Sequence, residues 1–497
     1  MANVKDTLDE YGERICSKLG FSPISNSTKP LTIANSLFRA CSGITCDIRD
    51  MHEWVACEHK AGPKIVSSYD LRVKYKDILL HEEDESVEEI REVRFIFDKI
   101  FNPDSTVFPQ HKDSVLNIPS QWFVRNTLRA EGQIGRFIFN ILSGVIDGKE
   151  EISPAVKLIT NSLRCDDDDI TRLMKPIITS KPEAERKTSK EVQPSKKELN
   201  FTEQIIRRGF DNLAENMIFT GQAQNSLLVL QRMANYAVFS IFFYLIDVNH
   251  CEYKGDRVPL MLASNAELGA IERASELSFI SCKRMVEEYI TNVLEDMIIA
   301  DQILLRYDDD ICRNYIERNV VLEEKKESSN AREALLQYYD TYIANGEAPV
   351  RALARAIQFA LYTFTYKNCT PSEFLYYLGV RSGFVGPRGN ATKYKRLMIN
   401  RFTLETIVLS TVCLQEFSDG LELSELGQLL RDKYCILIGT DTDEDYSILE
   451  QANIAQEAPE DLRGELADNA KAISDMLITI GLAKRYADGV TIIGWGL

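Results

Sequence analysis

Side chains that bind zinc are concentrated in one window near the start of the chain. The window holds two of the five histidines of the protein, and its candidate ligands are Cys41, Cys46, His52, Cys57 and His59. Zinc is held by four nitrogen or sulfur atoms that converge as a tetrahedron, so the number of candidates suffices. Their spacing is irregular and contains no Cys-x-x-Cys pair, which favours buried thiols and surface histidines instead. We therefore expect no cofactor, and zinc bound by these residues is the alternative.

The same window contains two acids and a lysine in an order used by metal-dependent nucleases. Asp47, Glu58 and Lys60 match an Asp…Glu-x-Lys pattern, in which both acids must lie at adjoining strand ends to share Mg²⁺. Residues 47–60 do not alternate like a strand, which counts against this interpretation. A second set in this order follows a helical pattern and consists of Asp247, Glu252 and Lys254. A metal-dependent nuclease subunit is thus an alternative hypothesis.

Other sequence motifs of enzymes are absent. The chain contains no Gly-x-x-x-x-Gly-Lys phosphate loop, no Gly-x-Gly-x-x-Gly motif and no Gly-x-Ser-x-Gly motif. Five histidines in 497 residues are also few for acid–base chemistry. We therefore assign no catalytic residues and expect a protein that is not an enzyme.

Positive charge is concentrated in a segment between residues 381 and 401. Its sequence, RSGFVGPRGNATKYKRLMINR, contains six Lys and Arg residues and no acid. The glycines would let backbone amides approach a phosphate, and the aromatic side chains could stack on bases. The alternative is a solvated loop that pairs with acidic surface elsewhere in the protein. We predict that this basic segment contacts DNA through Arg381, Arg388, Lys393, Tyr394, Lys395, Arg396 and Arg401.

Overall composition and charge indicate the class of protein and its cellular compartment. The formal net charge is −17 with a pI near 5.0, which argues against a protein that coats nucleic acid over its whole surface. The amino-terminal residues carry acids and lack the apolar core of a signal peptide. No apolar run reaches 18 residues, and the nearest approach, residues 236–248, indicates a buried helix. Eleven cysteines without an export signal suggest reduced thiols. We expect a cytoplasmic protein with no membrane segment.

The chain divides into four parts, most of them helical. Residues 1–178 are expected to form a mixed, mostly helical domain that ends near four consecutive aspartates, which indicate a solvated helix N-terminus. Residues 179–200 are rich in Lys, Glu, Ser and Pro, which indicates a charged linker. Residues 201–401 form a helical domain that contains the basic segment, and residues 402–497 form the last domain. The fold class is therefore mainly α and multi-domain.

The last domain has the element order of a winged helix. Three helices, over residues 404–414, 424–434 and 462–480, are followed by two strand-like segments that flank a hairpin turn at residues 487–489. A DNA-reading helix needs exposed donors, and the third helix offers Arg463, Asn469 and Lys471 among many acids. Because that face would repel DNA, we expect the winged-helix-like domain to contact protein.

Three stretches of the last quarter resemble a group of poorly characterised bacterial proteins. They are GVRSGFVGPRG from residue 379, LETIVL from residue 404 and GLAKRYADGVT from residue 481. Proteins of this group accompany HerA/FtsK-type ATPases in anti-phage restriction operons, including phosphorothioation-dependent and methylation-associated systems. The resemblance implies an accessory subunit and identifies no site residues.

These observations lead to one main hypothesis for the function. The chain is expected to be a non-enzymatic accessory or scaffold subunit of a bacterial anti-phage defence complex, which contacts DNA and a partner ATPase or translocase. The alternatives are the metal-dependent nuclease subunit and a transcriptional regulator. The acidic third helix disfavours the regulator.

Overall fold

A computed structural model describes most of the chain. The described residues are 4–47, 50, 53–54, 66–76, 85–101, 118–125, 131–178, 181–184, 197–264, 266–300, 308–319, 327–365, 369–387, 394–417, 419–487 and 489–494. Within these ranges helices dominate and all strands are short. The prediction of a mainly helical protein is confirmed.

Short helices form the first part of the described chain. Their bounds are Val4–Leu19 (α1), Pro30–Ser42 (α2), Ser68–Lys74 (α3), Glu85–Phe101 (α4), Ile134–Leu142 (α5), Pro154–Arg164 (α6) and Asp169–Met174 (α7). The last of these begins in the run of four aspartates. The Asp168 side chain accepts a hydrogen bond from the Thr171 N–H at 2.7 Å, which is the usual role of an aspartate before a helix. The predicted solvated helix N-terminus is confirmed.

Longer helices form the middle of the molecule. Their bounds are Phe201–Phe219 (α8), Ser226–Tyr253 (α9), Gly269–Ala300 (α10), Asp309–Asn319 (α11), Glu327–Ala344 (α12), Pro349–Ala360 (α13) and Pro371–Ser382 (α14). Helix α9 is long and apolar enough to cross a membrane, but 94% of its most apolar window is buried inside the protein. A helix that is apolar on all sides is accommodated in this way at the centre of a core. The predicted buried helix is confirmed.

The last part combines helices with a small sheet. Its helices are Arg401–Thr411 (α15), Leu423–Tyr434 (α16), Thr442–Gln451 (α17) and Pro459–Thr479 (α18). Helix α17 lies between the second and third helices predicted for this part, where the sequence analysis places no element. The reason is local, because the Asp441 side chain caps the helix at the Glu444 N–H, 3.0 Å away, and acids in the first turn favour the helix dipole.

Within the described ranges the strands form four small sheets. Their bounds are Ile44–Thr45 (β1), Glu183–Ala184 (β2), Leu260–Met261 (β3), Val385–Gly386 (β4), Arg396–Leu397 (β5), Leu421–Glu422 (β6), Ile436–Leu437 (β7), Ala483–Arg485 (β8) and Thr491–Ile493 (β9). The pairs β1–β2 and β4–β5 are antiparallel, and β3–β7 is parallel. The terminal sheet is antiparallel in the order β6-β9-β8, and its β8–β9 hairpin confirms the predicted turn.

Both described ends of the charged linker are attached to the first part of the chain. Strand β2 pairs with β1, and the Leu199 N–H donates to the Val145 carbonyl at 3.1 Å. Leu199 itself is buried. Residues 185–196, which carry most of the charged composition, lie outside the described residues.

One hydrophobic core includes residues from the three larger parts of the chain. Phe137 of α5 packs edge-on against Tyr244 of α9, with ring centroids 4.7 Å apart. Tyr434 of α16 packs against Phe243 of α9 at 5.1 Å. Helix α9 therefore lies between elements from both ends of the chain. The domain boundaries stay a prediction from composition, and the predicted domains share this core.

A buried asparagine joins the terminal part to the middle. Asn469 of α18 is fully buried, and its amide donates to the carbonyls of Leu262 (2.9 Å) and Ile438 (3.1 Å). Its carbonyl oxygen accepts from the Ser264 N–H at 2.8 Å. One side chain thus fastens α18 to the segments that follow β3 and β7.

Replacing this asparagine should destabilise the whole protein. Asn469→Ala leaves three buried backbone groups without partners, so we expect the free energy of unfolding to fall by at least about 2 kcal/mol. Urea denaturation followed by circular dichroism measures the change. The exposed neighbour Asp468→Ala is the control and should alter the midpoint little. Equal stability of Asn469→Ala and the wild type would contradict the assigned role.

Candidate functional site

The zinc window is only partly described. Cys41 and Cys46 are buried, as the alternative of structural thiols expects, while His52, Cys57 and His59 lie outside the described residues. Burial raises the pKa of Cys41, and burial with the Asp47 charge raises the pKa of Cys46 to about 11. In the described part of the chain, no group of three or more His, Cys, Asp or Glu side chains could hold a metal ion. Zinc binding stays the alternative to structural thiols.

The first nuclease-like set is likewise incomplete. Asp47 follows β1 and is partly exposed, whereas Glu58 and Lys60 lie outside the described residues. The structure therefore places one of the three side chains and does not test whether they meet.

The second nuclease-like set is structural. Both oxygens of the buried Asp247 carboxylate are occupied, by the Thr202 hydroxyl at 2.7 Å and by the Arg257 Nε at 2.7 Å. Glu252 forms an ion pair with Lys18 at 3.0 Å. Lys254 ends helix α9 and is exposed. These contacts give the acids a structural role, and among the described residues no group of three or more ligands that could hold a metal ion is found here.

Arg257 is the charged partner of the buried Asp247 and also contacts helix α16. Its two terminal nitrogens donate to the carbonyls of Asp432 (3.0 Å) and Lys433 (2.9 Å) at the end of α16. A cation at that position satisfies carbonyls that the helix leaves unpaired. The Asp247–Arg257 pair therefore links α9 to α16, and its function is positional.

Arg381, the first residue of the basic segment, is directed into the protein. Its Nη1 donates to the Ser25 carbonyl at 2.6 Å and to the Thr28 hydroxyl. The guanidinium also lies over the Tyr377 ring, 5.5 Å from its centroid. Burial lowers the pKa of Arg381. A phosphate would have to compete with these partners for the guanidinium.

Lys395 and Arg396 also have partners inside the protein. Lys395 is buried, and its Nζ donates to the Pro387 carbonyl across the β4–β5 pair. The Arg396 Nη2 lies 2.5 Å from the Glu272 carboxylate of α10. For these residues the structure shows the alternative considered above, in which the segment pairs with groups elsewhere in the protein.

Two other residues of the basic segment face solvent. Tyr394 has 67% of its surface exposed, and Arg401 is exposed at the start of α15. Arg388 and Lys393 lie outside the described residues. DNA binding by the segment stays a prediction, and Tyr394 and Arg401 are the two of its described residues that are exposed to solvent.

The donors of helix α18 are largely used within the protein. Asn469 is buried in the contacts described above. The Arg463 Nε lies 3.0 Å from Asp443, and its guanidinium stacks over Tyr446 at 4.7 Å. Lys471 alone among the three predicted donors is exposed without an ion-pair partner among the described residues.

Helix α18 carries an acidic face at its amino-terminal end. Some acids nearby are engaged, since Glu465 accepts from the Ala270 and Ile271 N–H groups at 2.7 and 3.0 Å and so caps α10. Four others are exposed, and the described residues offer them no ion-pair partner. These four acids, called the acidic face below, are Glu457, which precedes α18, and Glu460, Asp461 and Asp468, which lie on the helix.

Lys433 is partly buried in the folded protein, and the sequence analysis does not single it out. The Lys433 Nζ donates to the Ser410 carbonyl at 2.7 Å, and burial, with the nearby Arg208 charge, lowers its pKa to about 8. Asp211 acts in the opposite direction. In the sequence Lys433 is an ordinary residue of an amphipathic helix, so nothing there marks it.

The comparisons with known proteins add no assignment. No protein-family model, curated protein or solved structure matches the chain. The functional argument therefore depends on the charges and contacts described above.

Arg381→Ala should lower stability. The substitution removes the donors to Ser25 and Thr28, so we expect the free energy of unfolding to fall by roughly 1–3 kcal/mol, seen as a lower thermal midpoint. Arg401→Ala, which removes the same charge from an exposed position, is the control and should keep the wild-type midpoint. A midpoint equal in both variants and the wild type would show that Arg381 is not an anchor.

Lys433 should make stability rise with pH in the alkaline range. Its folded pKa is about 8, below the unfolded value of about 10.4, so the unfolded chain binds more protons between these values. Stability from this residue is therefore gained as pH rises from about 8 to about 10. Urea midpoints at both ends of that window should show a smaller rise in Lys433→Met than in the wild type, with Lys484→Met as the charge-matched control. An equal rise in Lys433→Met would refute the assignment.

Proposed function

We propose that the chain is a non-enzymatic accessory subunit of a bacterial anti-phage defence complex, working in the cytoplasm beside a HerA/FtsK-type ATPase or translocase. The observation that carries the proposal is the acidic face of α18, whose neighbouring donors Arg463 and Asn469 are used inside the protein. The resemblance of the last quarter to proteins encoded with such ATPases supports the setting. The helical middle then serves as the scaffold.

The element order supports a winged-helix-like terminal domain. Helices α15 and α16 flank β6, and α18 leads directly into the β8–β9 hairpin, which pairs with β6. In that arrangement α18 takes the position of the helix that reads DNA in related architectures. Helix α17 is an addition between the second helix and α18.

The charge of this surface favours a protein partner over DNA. Residues 402–497 carry 18 Asp and Glu against six Lys and Arg. Three of the six, Arg431, Arg463 and Arg485, form ion pairs within the domain. The exposed acids would repel phosphates and attract a basic protein surface, which also accelerates association. The partner surface is therefore expected to be rich in Lys and Arg.

Neutralising the acidic face should weaken binding of the partner. The test variant combines Glu457→Gln, Glu460→Gln, Asp461→Asn and Asp468→Asn, and the measurement is co-purification with a HerA/FtsK-type ATPase of the native host. The control removes four exposed acids elsewhere, through Asp9→Asn, Glu10→Gln, Glu89→Gln and Glu92→Gln. Loss of the ATPase in the test variant alone supports docking by α18, whereas retention of the ATPase by both variants contradicts it.

DNA contact is the second part of the proposal and is tested separately. The variant Arg388→Ala/Lys393→Ala/Arg401→Ala should weaken duplex binding and reduce the slope of log K against log salt by about one for each phosphate that is no longer neutralised. Lys484→Ala is the single-charge control. Unchanged affinity and slope in the triple variant would remove DNA from the proposed function.

A further inference from the structure

A groove of about 490 Å³ opens between four elements of the terminal domain. Its walls are the first residues of α16, the turn that leads into α17, one face of α18 and the β8–β9 hairpin. The groove is distinct from the acidic face, and the proposed docking does not use it. Its volume is that of a site for a small molecule.

The lining of the groove differs in charge from the domain around it. Among the described lining residues none is acidic, although acids outnumber Lys and Arg threefold in residues 402–497. Two of the domain's six cations, Lys471 and Arg485, line the groove together. Hydroxyl side chains also line the groove, namely Ser424, Thr440, Thr442 and Ser474, and the Thr440 hydroxyl is buried without a hydrogen-bond partner among the described residues. Cations with hydroxyl donors are the groups that bind phosphoryl oxygens.

Arg485 is fixed at one side of the groove. Its Nη2 donates to the Ser474 hydroxyl at 2.8 Å and lies 2.9 Å from the Asp475 carboxylate. The Ser474 hydroxyl also lies 3.1 Å from that of Thr491. The guanidinium and these hydroxyls are thus held in place before any ligand arrives, which lowers the entropic cost of binding.

Lys471 supplies the uncompensated charge. It lies one helical turn before Ser474 on the same face of α18, and it is exposed. No described residue forms an ion pair with it. Because Asp475 pairs with Arg485, Lys471 is the groove cation that has no ion-pair partner among the described residues.

The acids outside the groove limit the size of the ligand. Duplex DNA carries one negative charge per about 1.7 Å, so a duplex seated on Lys471 would bring further phosphates against Asp443, Asp468 and the rest of the acidic surface. A small anion carries fewer charges than a duplex and is repelled less by these acids, of which Asp468 lies one helical turn before Lys471. The arrangement therefore selects a compact anion over a polyanion.

We propose that this groove binds the phosphoryl group of a small molecule, with Lys471 and Arg485 as the charged contacts and the hydroxyl groups as donors. Inorganic phosphate and a phosphomonoester share the chemistry that the groove recognises. Binding at this site does not require the partner surface, so it is expected to persist when the acidic face is neutralised.

Calorimetric titration of the full chain tests the proposal. Inorganic phosphate and glycerol 3-phosphate are the two probes, each added at constant ionic strength set by sodium chloride. We expect saturable binding that weakens about tenfold in Lys471→Ala, because one charge-assisted hydrogen bond is removed. Tighter binding of glycerol 3-phosphate indicates an organic phosphate as the ligand, and equal binding indicates phosphate itself.

Two further variants block the groove and provide a charge control. Ala467→Phe fills the groove from an exposed position of α18 and should abolish binding without disturbing the core. Lys484→Ala removes an exposed lysine that does not line the groove and should bind as the wild type does. The absence of saturable binding, or equal binding in Lys471→Ala, Ala467→Phe and the wild type, overturns the proposal.

Discussion

The three hydrogen bonds of the Asn469 side chain determine which side of α18 is buried and which side is exposed. They hold α18 against the segments after β3 and β7, which belong to parts of the chain more than 170 residues apart. A buried amide has strict geometric requirements, so the rotation of α18 is fixed. That rotation leaves Asp461 and Asp468 exposed and brings Lys471 into the groove. The exposed acids and the groove lysine are therefore both positioned by the hydrogen bonds with which Asn469 holds α18.

Local sequence patterns predict much of the architecture. The buried helix α9, the aspartates before α7 and the hairpin at residues 487–489 follow from apolar content, capping and turn chemistry, all of which act over a few residues. Helix α17 is not predicted because its polar composition resembles a loop, although Asp441 three residues before Glu444 is a capping signal. The β3–β7 pairing cannot be predicted, since two-residue strands far apart in sequence leave no periodic trace.

Charged residues are harder to assign than helices. The composition of the basic segment shows that cations are present, but only coordinates show that Arg381 reaches Ser25 and that Arg396 reaches Glu272. The same holds for Glu465, which counts as a repulsive surface acid in the sequence and caps α10 in the structure. A buried or partly buried charge must find a partner, and that partner can come from any part of the chain. For this reason composition predicts the sign of the charge on a surface better than it predicts which charged side chains are free to bind a partner.

The central position of α9 has a consequence for synthesis of the protein. This helix is covered by α2 and α6, which precede it, and by α10, α14, α15 and α16, which follow it. A ribosome therefore releases the apolar helix well before residue 434 and the rest of its cover exist. During that interval its exposed side is a ready surface for aggregation, and molecular chaperones are the cellular factors that shield such surfaces. Newly made chains should accordingly depend on chaperones until the terminal helices emerge.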